Sequence, residues 1–140
     1  MSFRTAVRAA ILPLALAVAG APAVTAGSSQ DVVVASKAFA TLAAPGAPTI
    51  ALRLARVVKD DRCPARVLCA WAGPTIIEVE ARSGAAAARL TLSSKGGVAA
   101  HFQGWRFELR FVEPQPQEPE DFQKLKPLEA YRATLRASRL

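Results

Sequence analysis

Asparagine is absent from the 140 residues, and histidine, methionine and tyrosine occur once each. Cysteine occurs twice, as Cys63 and Cys69. These scarcities narrow the chemistry. The two thiols with His101 make at most three soft ligands, whereas a structural zinc site takes four and copper sites draw on His and Met. The cysteines are not spaced C-x-x-C, which removes the usual dithiol redox argument. No Gly-rich phosphate loop and no G-x-S-x-G turn is present. Serine-nucleophile chemistry would have to rest on His101 alone. Glu78 and Glu80 mimic a glycosidase pair, but two residues apart on one strand they read as a solvated face. The residues therefore point away from an enzyme, and they imply no cofactor. Past the N-terminal segment no apolar run reaches the ~20 residues needed to span a bilayer.

What is present begins with a segment of the signal-peptide type. Arg4 and Arg8 form a positive n-region and Ala9 to Gly20 an apolar h-region, with Pro13 inside it. Small residues at Ala21-Pro22-Ala23 and Val24-Thr25-Ala26 offer two cleavage points, after Ala23 or after Ala26. The expectation is a signal peptide over residues 1–26 and one domain over residues 27–140, exported to the periplasm or the external medium. Setting aside Arg4 and Arg8 from the 18 basic residues leaves 16 against 11 acidic ones, a balance of +5. That surplus is spread thinly. It favours anionic envelope surfaces weakly and, without a basic cluster, argues against nucleic acid.

Most of the remaining chain has period two, the signature of strands with one buried face. Val32 to Val34 and Lys37 to Leu42 are predicted as short strands, followed by a Pro/Gly turn over 43–48. Ile50, Leu52 and Leu54 share a face, and a phase shift at Arg56-Val57-Val58 predicts a β-bulge. Ile77, Val79 and Ala81 alternate with Glu78, Glu80 and Arg82, and Ala88, Leu90 and Leu92 with Arg89, Thr91 and Ser93. Trp105, Phe107, Leu109 and Phe111 are predicted to point one way into the core. A proline-rich loop follows from Pro114 to Asp121, then a helical turn from Glu120 to Lys126. Tyr131 to Ala137 is predicted as the closing strand. Glu78, Glu80 and Glu108 are expected opposite Arg106, Arg110, Arg132 and Arg136. The whole reads as an all-β, small antiparallel β-sandwich (Ig-like or related) or small barrel, and as a monomer.

The chemistry concentrates in Asp60-Asp61-Arg62-Cys63-Pro64-Ala65-Arg66-Val67-Leu68-Cys69-Ala70-Trp71-Ala72-Gly73. In an exported chain two cysteines pair, and a Cys63–Cys69 disulfide closes a loop short enough to fix local shape above all. Adjacent carboxylates at Asp60 and Asp61 supply part of a calcium set. However, neighbours on an extended chain point opposite ways, and a carboxylate here can instead hold loop N–H groups. Trp71 is expected to pack over the disulfide or to stack on a ligand. Arg66, at the middle of the braced loop, suggests a contact residue or a protease-inhibitor loop. Asp60, Asp61, Arg62, Arg66 and Trp71 together form the candidate contact surface.

The run resembles the motif D-S-R-C-P-x4-C-x-W-x-G of small exported bacterial proteins and lipoproteins. In that group a later Gly-x-x-x-x-L strand leads into a proline-rich segment and a Tyr-bearing strand closes the chain. Gly104 to Phe111, Pro114 to Pro119 and Tyr131 to Leu135 follow the same order, with Asp61 standing where Ser is commoner. The resemblance implies architecture and an exported location, and it brings no catalytic residues. The expected function is a non-enzymatic envelope module that binds a protein or polymer. A calcium- or small-ligand-binding protein is the alternative, and an inhibitor loop around Arg66 ranks third.

Overall fold

The computed structural model describes residues 28–140; the signal segment expected over 1–26 lies outside the described residues. Among the described residues eight strands form two four-stranded sheets. They are β1 (Ser29–Val34), β2 (Ala40–Leu42), β3 (Ile50–Asp60), β4 (Thr75–Ser83), β5 (Ala86–Ser93), β6 (Ala100–Phe102), β7 (Trp105–Glu113) and β8 (Arg132–Arg139). The strand orders are β1-β8-β7-β6 and β2-β3-β4-β5, with every pairing antiparallel. This is a single β-sandwich. After β1 the chain crosses from one sheet to the other, and there the Leu54 N–H donates to the Ala35 carbonyl at 3.0 Å.

The alternation places the core where expected. Ile50, Leu52 and Leu54 of β3, Ile77 and Val79 of β4, and Leu90 and Leu92 of β5 are buried against Trp105 and Phe107 of β7 and Leu135 of β8. Full burial of one Leu or Phe side chain contributes roughly 1.5–3 kcal/mol, so these residues dominate the sandwich's stability.

Two bulged regions decide which residues turn inward. In β3 the register with β4 shifts between Leu54 and Arg56 and again between Val57 and Lys59. Leu54, Val57 and Asp60 are consequently buried at three-residue steps. Without the second shift, period two from Val57 would bury Lys59 and expose Asp60. A third shift, between Leu109 and Phe111 of β7, corrects the sequence expectation. Phe111 is rotated outward at 54% exposure and Val112 takes its place in the core. The extra residue of a bulge reverses the side-chain phase, which simple alternation does not register.

Three further expectations are revised. The strand expected from Lys37 is paired only over Ala40–Leu42, because residues 36–38 bend. The expected helical turn over 120–126 is replaced by two 3-10 turns, Pro119–Asp121 and Leu128–Ala130. Glu78 and Glu80 lie on the other sheet from Arg106, Arg110, Arg132 and Arg136. Their partners are instead Arg53, Arg56, Arg82 and Arg89. Glu108 does stand opposite Arg136 in register, yet it pairs with Arg106 on its own strand, while Arg136 pairs with Asp31.

Candidate functional site at the disulfide end

The β3–β4 connection (residues 61–74) and the β7–β8 connection (residues 114–131) dock on each other at one end of the sandwich. The Ala65 and Arg66 N–H groups donate to the Pro116 and Gln117 carbonyls at 3.0 and 3.1 Å. The neck of the first loop is closed by Asp61 N–H to Pro74 O at 3.1 Å and Gly73 N–H to Asp61 O at 2.8 Å. Cys63 and Cys69 form a disulfide across it, with their Cα atoms 5.9 Å apart. The loop is thus held at its neck, across its middle and along one side.

Arg62 organises this end. Its Nε and Nη2 donate to the two Asp60 carboxylate oxygens, each at 2.7 Å, in the forked geometry that makes Arg–carboxylate pairs strong and directional. Nη1 donates to Val112 O at 2.6 Å and Nη2 also to Pro114 O at 2.9 Å. Asp60 is only 4% exposed and additionally accepts from Thr75 Oγ1 at 3.3 Å. A buried carboxylate requires this degree of pairing, since an isolated one is strongly disfavoured. The bulges in β3 turn Asp60 inward, and Arg62 then fastens the end of β7 to the start of the cysteine loop.

Asp61 is directed elsewhere. Its Oδ2 lies 2.7 Å from Lys59 Nζ, and its Oδ1 accepts from Gln123 Nε2 at 3.5 Å. The two adjacent carboxylates therefore take separate cationic partners, and a cation bridging them would have to displace Arg62 and Lys59. Gly73 packs on Asp61 so closely that a methyl there would overlap the Asp61 Cβ and sit 3.0 Å from Oδ2. The Gly of the motif is thus a close-approach position.

Arg66 forms an ion pair with Glu118. An inhibitor loop must present a free extended backbone to a protease cleft, and here the Ala65 and Arg66 N–H groups are already bonded to the neighbouring segment. That segment is itself braced. The Asp121 carboxylate accepts the Gln117 and Glu118 N–H groups, both at 3.0 Å. These bonds, that to Glu118 first, hold its carboxyl below the usual carboxylate range. Farther along, the Lys126 N–H donates to the buried Tyr131 hydroxyl at 3.0 Å.

Trp71 is 58% exposed. Its ring meets Phe122 edge-on, with centroids 5.8 Å apart. With Val67, Cys69, Ala70 and Pro119 the two rings line an open apolar groove of about 250 Å³. Leu68, at the crown of the disulfide loop, is fully exposed.

Of the residues singled out in the sequence, Asp60, Asp61, Arg62, Arg66 and Trp71 do converge on this end. Asp60 and Arg62 are internal fasteners, whereas Trp71 and the overlooked Leu68 face outward. Sequence reasoning also missed Phe122, Asp121 and the docking role of the proline-rich segment. The spacing of Glu118 and Asp121 around Pro119 was a signal for the brace, because an acidic residue three positions on can cap a turn's free N–H groups. His101 stands exposed on β6, away from the two loops. No protein-family model, curated protein or solved structure matches this chain.

Proposed function

We propose that this protein is an exported, non-catalytic binding domain of the cell envelope. Its contact surface is the disulfide end of the sandwich, centred on Leu68, Trp71 and Phe122. Export is supported by the signal-type segment at residues 1–26 together with a disulfide, which persists in oxidising compartments. Among the described residues no helix is long and apolar enough to cross a membrane. The resemblance of the D-D-R-C-P motif to small exported proteins agrees with this location.

The observation that carries the reading is the combination of rigidity and apolar exposure in one loop. A fully exposed Leu68 and a half-exposed Trp71 sit on backbone held by a disulfide, the Arg62 fork and two inter-loop hydrogen bonds. Bracing lowers the entropic cost of ordering a loop upon binding. Aromatic anchors beside an open groove are the usual centre of an interface. A protein or polymer partner offering an apolar side chain or ring fits this arrangement.

The test is a photo-crosslinking residue at position 68, expressed in the producing cell, with position 33 on exposed β1 as control. A discrete adduct from position 68 that disappears with Trp71→Ser supports the surface, provided the thermal midpoint of Trp71→Ser is unchanged. Equal adducts from positions 68 and 33, or none from either, refute it.

A further inference from the structure

A second surface stands apart from the disulfide end, on the outer face of the β2-β3-β4-β5 sheet. Four arginines project there from three adjacent strands: Arg53 and Arg56 of β3, Arg82 of β4 and Arg89 of β5. Glu78 and Glu80 of β4 lie between them. Each carboxylate is shared by two guanidiniums. Glu80 accepts from Arg53 Nη2 and Arg82 Nε, both at 2.6 Å, and Glu78 from Arg56 at 2.9 Å and Arg89 at 3.4 Å.

The layers are unequal in height. The glutamate side chains are recessed, at 16 and 17% exposure, whereas the arginines stand above them at 36 to 61%. The outermost charges of the face are therefore cationic, with four positive charges standing over two negative ones. Arg53 and Arg82 are further fixed by stacking on the Phe39 ring, 4.5 and 5.0 Å from its centroid. Ala51, Ala87 and Thr91 beside them on the face are small, and the larger apolar neighbours are Phe39 and Ile76.

We propose that this face binds a linear phosphate-bearing polyanion, with the four guanidiniums gripping successive phosphates. The planar fork of Arg matches phosphate oxygens in pairs, which Lys does not. Glu80 and the Phe39 ring hold Arg53 and Arg82 in place and Glu78 tethers Arg56 and Arg89 by one contact each, so part of the side-chain freedom is already lost before binding. An anionic membrane is the less fitting occupant, because interfacial binding wants free bulky apolar side chains beside the cations, whereas the Phe39 ring is already stacked under Arg53 and Arg82 and Ala51, Ala87 and Thr91 are small.

The test measures affinity for long-chain inorganic polyphosphate by anisotropy across a salt series. Four phosphate contacts on a flexible chain predict about a fifty-fold loss of affinity between about 50 and 200 mM salt. In Arg56→Gln/Arg89→Gln two contacts are left, and the same salt change should cost only about sevenfold. Arg110→Gln/Arg132→Gln, an equal charge change on the other sheet, should keep the wild-type dependence. Arg56→Lys/Arg89→Lys keeps the charge and should bind between wild type and the Gln variant, which separates fork recognition from folding defects. Equal losses from the two Gln pairs would reduce the effect to net charge and overturn the proposal. Binding to vesicles of anionic phospholipid without binding to polyphosphate would overturn it in favour of a membrane, and no binding at about 50 mM salt would end it.

Discussion

Arg62→Met is the most telling single change this structure offers. Met keeps most of the side chain's length and apolar volume but removes the four hydrogen bonds that Arg62 sends to Asp60, Val112 and Pro114. Asp60 would then be left almost fully buried, with only Thr75 Oγ1 as a side-chain partner at 3.3 Å. Breaking a buried ion pair on one side typically costs about 3–5 kcal/mol. Arg62 itself is 20% exposed, so water relieves part of that penalty and about 3 kcal/mol is expected. For a domain of this size that corresponds to a fall in melting temperature of roughly 12 °C. Asp60→Asn/Arg62→Met should recover about half of the loss, because the stranded charge rather than the missing bonds makes up much of it. Urea unfolding with an unchanged m-value measures this directly. A loss below about 1 kcal/mol for Arg62→Met, or no recovery in the double variant, would refute the view that Arg62 fastens the two loops by neutralising Asp60.

Gly73→Ala forces a methyl onto the Asp61 Cβ and should destabilise by about 1–3 kcal/mol through overpacking; a neutral result in urea titration would mean the loop neck yields. Cys63→Ser/Cys69→Ser should cost about 2 kcal/mol, since the closed loop is short. Its increase in amide exchange should be confined to residues 61–74 and their contacts at 116–117, and exchange spreading through β3 and β4 would contradict this. Asp121, Asp31 and Glu80 have carboxyls held below their ordinary values, Asp121 chiefly by the Glu118 N–H, Asp31 by Arg136 and Glu80 by Arg53. A carboxyl whose folded pKa is depressed stabilises above its unfolded pKa, and that stability is lost as pH falls through the folded value. Stability should therefore decline below about pH 4, and Asp121→Asn should flatten the decline; an unaltered acid limb in Asp121→Asn would show that its hydrogen bonds to 117 and 118 contribute nothing.

The fold was legible because one buried face per strand imposes period two on the residues that fill it. The alternation of Ile50 to Leu54, Ile77 to Ala81, Ala88 to Leu92 and Trp105 to Leu109 marks their core faces in the sequence itself, and two cysteines admit a single intrachain pairing. Of the candidate site the sequence carries only the location: the motif residues gather at one end of the sandwich, but which of them turn inward, as Asp60 does, and which outward, as Trp71 does, is not written in the motif.

What the sequence by itself determined is the local part: the strands, the turns at their glycines and prolines, and the short covalent loop, each set by neighbours a few residues away. What only the tertiary structure decided is everything that depends on register and on contacts across about 50 residues of chain. The bulge beyond Leu109 turned Phe111 out, and that beyond Val57 turned Asp60 in. The docking of 65–66 on 116–117 left Leu68 and Trp71 outside while enclosing Asp60 and Arg62. An inserted residue inverts every side chain after it without marking the composition, and a loop carries no periodicity to say which segment will cover it.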